Sequence, residues 1–111
     1  MWDKYLQTSI PIQYLVGYSY WRDLKLEVSN KVLIPRPETE LGVDIISEKI
    51  KRKFEKKIFA DLGTGSGAIS IALALANPLW EGLATDIDIS ALDIASRNFA
   101  KYSKISNLKF H

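Results

Sequence analysis

The run Asp61-Leu62-Gly63-Thr64-Gly65-Ser66-Gly67 carries three glycines at alternate positions and stands between an apolar stretch and an alanine-rich one. Ahead of it, Lys57-Ile58-Phe59-Ala60 reads as a short buried strand. Behind it, Ala68-Ile69-Ser70-Ile71-Ala72-Leu73-Ala74-Leu75-Ala76 reads as a helix that is apolar on nearly every face. Strand, glycine turn and helix in that order make a cradle for a nucleotide-like ligand. The glycines let the backbone turn sharply and let a ligand come close to the main chain, and the free amides of the helix N-terminus point at it.

Two ligands compete for that cradle. Gly63-x-Gly65-x-x-Ala68 satisfies the loose dinucleotide fingerprint, and Asp86 lies at a suitable distance downstream to hold a ribose. Spacing alone does not choose between them. Asp61, at the end of the strand beside the turn, would repel a pyrophosphate by several kcal/mol per close pair at an effective dielectric of about 20. S-adenosylmethionine has no phosphate and carries an ammonium and a sulfonium, so Asp61 attracts it, and the methyl donor is favoured. A phosphate loop is excluded because no Gly-Lys-Ser/Thr follows, and a serine-hydrolase elbow because Ser66 lacks glycines at the required offsets.

A chain of 111 residues with 47% hydrophobic residues builds one domain at most, with a core of modest size. The absence of cysteine excludes a disulfide framework, thiolate catalysis and cysteine-ligated zinc. The single histidine is the last residue, His111, which argues against histidine catalysis and against a histidine metal site. A net charge of +2 is too mild to argue for nucleic acid by field alone. No apolar run reaches the length of a membrane span, and Met1-Trp2-Asp3-Lys4 lacks a signal-peptide pattern. The expectation is a soluble cytoplasmic protein with no membrane partner, no metal and no direct contact with nucleic acid.

Outward from the glycine turn, Trp2, Tyr5 and Leu6 are spaced like one face of a short helix, Pro11 breaks it, and Ile12 to Tyr18 forms an aromatic-rich connection covering one edge of a core. Leu24, Leu26 and Val28 alternate with Lys25 and Glu27, and Ser29-Asn30 then precedes Val32-Leu33-Ile34, which predicts a β-hairpin across that turn. A hairpin by itself is marginal, so this one must pack on the domain or on residues outside the sequence. Pro35 and Pro37 pin the next loop, and a helix is predicted from about Glu38 to Lys53 with Leu41, Ile45, Ile46, Ile50 and Phe54 as its buried stripe. Its acidic start at Glu38 and Glu40 and basic end at Lys49, Lys51, Arg52 and Lys53 complement the helix dipole. That pattern explains the basic cluster without a partner. Gly42 inside the helix has no explanation in the sequence. Past the glycine helix, Asn77-Pro78 is a stop signal, and Glu81 to Asp86 reads as a second strand whose terminal carboxylate faces the same crevice as the glycine turn. Asp88 is the better candidate for capping the next helix, Ser90-x-x-Asp93 resembles a capping box, and Leu92, Ala95, Phe99 and Tyr102 share a face. Asn107 to Phe110 begins a third strand.

Two stretches together, Leu33-Ile34-Pro35-Arg36-Pro37-Glu38-Thr39-Glu40 and Asp61-Leu62-Gly63-Thr64-Gly65-Ser66-Gly67-Ala68, with Pro11-Ile12-Gln13-Tyr14-Leu15-Val16-Gly17 ahead of them, resemble the release factor glutamine methyltransferases. The resemblance covers essentially the whole chain, and the stretch around Arg36 is its more specific part. It implies a class I methyltransferase fold, an α/β, Rossmann-like, doubly wound parallel sheet, incomplete here and preceded by a β-hairpin. The implied division is residues 1–17 as the tail of a helical N-terminal domain with its linker, 18–36 as the hairpin, and 37–111 as the first part of the donor-binding domain. It implies methylation of the glutamine side-chain amide in the Gly-Gly-Gln motif of class 1 peptide chain release factors, with S-adenosylmethionine as donor and the release factor as partner. Gly63, Thr64, Gly65, Ser66 and Gly67 would hold the methionine part of the donor and Asp86 its ribose. Asp61 would help to position the ammonium, directly or through water. Arg36, Pro37, Thr39 and Glu40 would lie beside the substrate.

The Asn-Pro-Pro-Tyr motif that in this family orients the substrate amide is not in the sequence, so the resemblance implies a segment with half of the donor site and no catalytic residue of its own. The family's strand order also implies that Ile58-Phe59-Ala60 is an open apolar edge, which predicts weak stability or self-association of these residues alone. Methylation of a ribosomal-protein glutamine or of a nucleic-acid base, an NAD-dependent oxidoreductase, and a non-catalytic remnant are the alternative readings.

Overall fold

The computed structural model describes residues 12–36, 38–49, 56–102 and 107–111. The expectations for Trp2, Tyr5, Leu6, Pro11 and Pro37, for Ile50 and Phe54, and for the basic residues Lys51, Arg52 and Lys53 lie outside them.

The described chain runs α1 (Ile12–Val16), β1 (Tyr18–Trp21), β2 (Leu24–Glu27), α2 (Glu38–Lys49), β3 (Ile58–Leu62), α3 (Ala68–Ala76), β4 (Glu81–Thr85), α4 (Ile89–Ala100) and β5 (Leu108–Phe110). Strands β3, β4 and β5 form a parallel sheet in that order, with Asp61 opposite Ala84 and Leu62 opposite Thr85. Parallel pairing sets the carboxyl ends of β3 and β4 side by side, so the glycine turn after one and Asp86 after the other open into one crevice. Helix α3 follows the alanine-rich stretch and has Ala68, Ser70, Ile71, Ala72, Leu73 and Ala74 buried. It stops where Asn77 turns its side-chain amide back to the Leu73 carbonyl, at 3.1 Å. Helix α4 starts at Asp88, whose carboxylate accepts the Ser90 N–H at 2.8 Å. Asp88 is therefore the cap, and the Ser90-x-x-Asp93 box does not form because Ser90 already lies inside the helix; Asp93 pairs with Arg97.

The hairpin differs from its prediction. Strand β2 pairs antiparallel with Tyr18–Trp21 through a turn at Arg22-Asp23, with Arg22 at φ 54°, and Val32 to Ile34 belongs to no strand. The strand β1 was hidden because its outward positions are aromatic too: Tyr18 and Tyr20 face solvent while Ser19 and Trp21 are buried. Without alternating polarity there is no period of two to read. The hairpin packs on the domain itself. Trp21, Leu24 and Leu26 join Ile71, Leu73, Trp80, Phe99 and Leu108 in one buried cluster, and Val28 and Val32 form a second with Ala91, Ile94 and Tyr14.

The stripe predicted for α2 is also corrected. Val43 is the residue it buries, at 2% exposed, while Leu41, Ile45 and Ile46 are 63, 43 and 42% exposed. Periodicity identified residues that share a face, and among the described residues that face is only partly covered, Ile46 bordering a cleft with Phe59, Ile69 and Trp80. Gly42 meets nothing within 4 Å of a would-be side chain, so nothing in the structure explains it. At the sheet, helices α3 and α4 cover the face that carries Phe59, Gly82 and Ala84. Ile58, Leu62 and Leu83 are exposed on the other, and β3 is an edge strand among the described residues.

Candidate functional site

Gly63, Gly65 and Gly67 all take left-handed backbone conformations, with φ of 74°, 58° and 86°. A side chain pays about 1–2 kcal/mol for that region, which is the local reason the turn is written in glycine. Main-chain bonds hold the turn in place: Thr64 N–H donates to the Thr85 carbonyl at 2.8 Å, and Gly67 N–H donates back to the Thr64 carbonyl at 2.9 Å. Gly67 is the turn's rear, where an added Cβ would lie 3.1 Å from the Ala95 side chain and 3.2 Å from Ile71. Gly63 and Gly65 are its front, where an added Cβ would meet nothing within 4 Å.

That front opens onto a cavity of about 780 Å³, within the size range of about 300–1,000 Å³ typical of small-molecule sites. Gly63, Thr64, Gly65, Ser66 and Asp86 line it, and so do Arg36 and Thr39. Glu40 does not line it; its carbonyl accepts from Arg22 at 3.4 Å. Asp86 is bound into the turn, one carboxylate oxygen accepting from Gly65 N–H at 3.0 Å and the other from Asp88 N–H at 2.9 Å. Each oxygen keeps a second lone pair, so the carboxylate retains acceptor capacity for a pair of vicinal hydroxyls.

Asp61 has a bracing role beside the one expected of it. Its Oδ2 accepts from Thr64 Oγ1 at 2.9 Å and from Ser70 Oγ at 2.7 Å, so the carboxylate braces the turn to the first turn of α3. It lines a neighbouring cleft of about 290 Å³ with Ile46, Phe59, Ile69 and Trp80, and not the main cavity.

Several wall residues carried no site signal in the sequence. Gln13 and Tyr14 of α1, Lys31, and the run from Val32 to Pro35 complete the cavity. Tyr14 donates its hydroxyl proton to the Val32 carbonyl at 2.7 Å, and the Trp21 indole N–H donates to the Arg36 carbonyl at 2.8 Å. The aromatic connection thus fastens the Arg36 loop over the glycine turn as well as covering the core. The signal that could have found it was the position of Gln13-Tyr14 inside the stretch that carries the resemblance. The donor set fits a nucleoside that bears a cationic amino-acid tail: close main-chain approach at Gly63 and Gly65, a carboxylate for hydroxyls, and no lysine or arginine in the turn itself.

Residues 35–109 match the methyltransferase small domain family. The release factor glutamine methyltransferase of Prochlorococcus marinus is 45% identical over 112 residues, which cover 100% of this chain and 38% of that protein. The release factor glutamine methyltransferase of Lactococcus lactis subsp. lactis is 50% identical over 96 residues, 86% of this chain and 35% of that protein. The chain therefore spans a little over a third of the length of the curated relatives it matches. Among solved structures, a METTL16 methyltransferase domain superposes with a TM-score of 0.64 at 23% identity, over 79% of this chain and 36% of that one. The N-terminal domain of human METTL16 in complex with SAH gives 0.60 at 22% identity, over 79% and 36%. These likenesses place the fold as class I methyltransferase, with one helical layer and a three-stranded part of the sheet present among the described residues.

Proposed function

The chain belongs to the methyltransferase small domain family, and from that premise we propose that the complete protein uses S-adenosylmethionine to methylate the side-chain amide of the glutamine in the Gly-Gly-Gln motif of class 1 peptide chain release factors. The observation that carries this reading is the 45% identity to a release factor glutamine methyltransferase across the whole of this chain. Membership of a methyltransferase family removes the NAD-dependent alternative.

Bound S-adenosylmethionine supplies an electrophilic methyl group on a sulfonium. The chain's own part is to hold and orient it. Gly63 and Gly65 admit the methionine moiety against the main chain, Asp86 accepts from the ribose hydroxyls, and Asp61 keeps the turn in shape and lends negative potential near the ammonium. An amide nitrogen is a poor nucleophile because its lone pair is delocalised, so rate comes chiefly from placing it in line with the methyl carbon. Arg36 and Thr39 line the same cavity as the turn, which supports a role beside the incoming glutamine.

The test is a methyl-transfer assay of the full-length protein with an unmodified release factor and labelled donor. The expected result is a gain of one methyl group on the Gly-Gly-Gln glutamine and none on a release factor with that residue changed to alanine. Transfer to a ribosomal-protein glutamine or to a nucleic-acid base instead would replace the substrate and keep the donor site.

A further inference from the structure

Helix α4 carries one fully buried polar residue, Asn98. Its Nδ2 donates to the Ser66 carbonyl at 2.9 Å and to the Glu27 carbonyl at 3.0 Å, and its Oδ1 accepts from Glu27 N–H at 2.6 Å. One turn later, Tyr102 Oη accepts from Lys25 N–H at 2.7 Å and donates to the Lys25 carbonyl at 3.2 Å. Val28 N–H donates to the Gly17 carbonyl, so in the alternating ladder the groups of Lys25 and Glu27 point off the open edge of β2. Residues four apart on a helix rise about 6 Å, and residues two apart on a strand about 6.8 Å, so Asn98 of α4 and Tyr102 in the turn that follows it meet two successive open peptide groups of the strand. A helix thereby closes a strand edge by side-chain bonds.

The two contacts are not equivalent. The Tyr102 hydroxyl bonds to the hairpin alone, whereas the Asn98 amide bonds to both the hairpin and the rear of the glycine turn. The carbonyl it holds, that of Ser66, belongs to the same rigid peptide unit as the Gly67 N–H, which is bonded to Thr64. That peptide plane is gripped from both sides, which fixes the left-handed φ of Gly67 and the direction in which Gly65 and Ser66 face the cavity. Asparagine suits the position because it offers two N–H donors and one acceptor on a short side chain; aspartate would set a carboxylate against two carbonyls, and leucine would leave all three partners unmet.

We infer that Asn98 is a positioning residue for the donor site, making the shape of the glycine turn depend on the docking of the β1–β2 hairpin. The inference rests on the reading that this turn binds the methyl donor. The experiment is calorimetric binding of S-adenosylhomocysteine to the full-length protein, with melting temperatures measured in parallel for wild type, Asn98→Ala and Tyr102→Phe. The expected result is a Kd raised about tenfold or more by Asn98→Ala, from the loss of buried hydrogen bonds, against a Kd within about twofold of wild type for Tyr102→Phe even where the melting temperature falls. A purely structural role would lower both melting temperatures and leave both Kd values unchanged, and that outcome overturns the inference. So does an equal rise in Kd for the two variants. If Asn98→Ala does not fold, the wild-type protein decides: the side-chain amide NMR signals of Asn98 should shift when S-adenosylhomocysteine is added, and unmoved signals overturn the inference. Failure of wild type to bind S-adenosylhomocysteine would overturn the donor reading first, and this inference with it.

Discussion

Gly65 and Gly67 stand two residues apart in one turn, both left-handed, yet they face opposite worlds. Behind Gly67, Ala95 and Ile71 press within 3.2 Å of a would-be side chain, Asn98 grips the adjoining carbonyl, and α4 backs the turn. Before Gly65 there is open cavity and a single bond to a carboxylate. The same residue type thus serves two physical ends, close packing on one side and ligand access on the other, and substitutions separate them.

The largest effect is expected at the rear. Gly67→Ala adds left-handed strain of about 1–2 kcal/mol to overpacking of about 1–3 kcal/mol, so urea unfolding of the full-length protein should show a loss of about 2–5 kcal/mol. If Gly67→Ala and Gly65→Ala cost the same, front and rear are not different environments. Next comes Asp86→Ala, which removes both the partner of Gly65 N–H and the acceptor for hydroxyls; donor affinity should fall by about 1–3 kcal/mol in a folded protein. Unchanged affinity would leave Asp86 as a brace of the turn and nothing more. Gly65→Ala should cost about 1–2 kcal/mol of stability through backbone strain alone, while weakening donor binding because its methyl group projects into the cavity. A stability loss with full affinity would mean that the ligand does not approach the front.

The smallest effect lies at the far end of the rear assembly, where Glu27 pairs with Arg97 at 2.8 Å on the surface. The hydrogen bond from Arg97 holds the Glu27 carboxyl below its ordinary value of 4.5. A depressed carboxylate adds stability that is complete above its unfolded value and is lost as pH falls through the lower folded one. With both side chains more than a third exposed, solvent screens the pair and its contribution is small. Melting temperatures followed from neutral pH down into the acid range should therefore fall slightly more for wild type than for Glu27→Gln.

The bare half of the sheet offers a second contrast with its covered half. Gly82 lies under the ring of Phe59, where a Cβ would come within 2.3 Å of a ring carbon, whereas the neighbouring Leu83 is exposed on the opposite face. Leu41, Ile45 and Ile46 of α2 are exposed as well, beside the edge strand β3, where Ile46 shares a cleft with Phe59 and Ile69. This is why the stripe of α2 was misread: a helix period says which side chains point together, and says nothing of whether a neighbour is there to meet them.

Local chemistry was legible where it is written within a few residues. The alternate glycines fixed a left-handed turn between a strand and an apolar helix, Asn77-Pro78 fixed its stop, and the strand polarity that follows brought Asp86 back to the turn. Those features depend on backbone sterics and short-range hydrogen bonding, which the sequence alone determines. What only the tertiary structure decided is who stands behind the turn: Asn98 reaches Ser66 across 32 residues and Glu27 across 71. Asp61, read as a partner for the ligand's charge, also accepts from Thr64 and Ser70 through Oδ2, a bracing role no stretch of sequence announced. A buried polar group takes whichever partner packing leaves within reach, and that is a property of the assembled core, not of any stretch of chain.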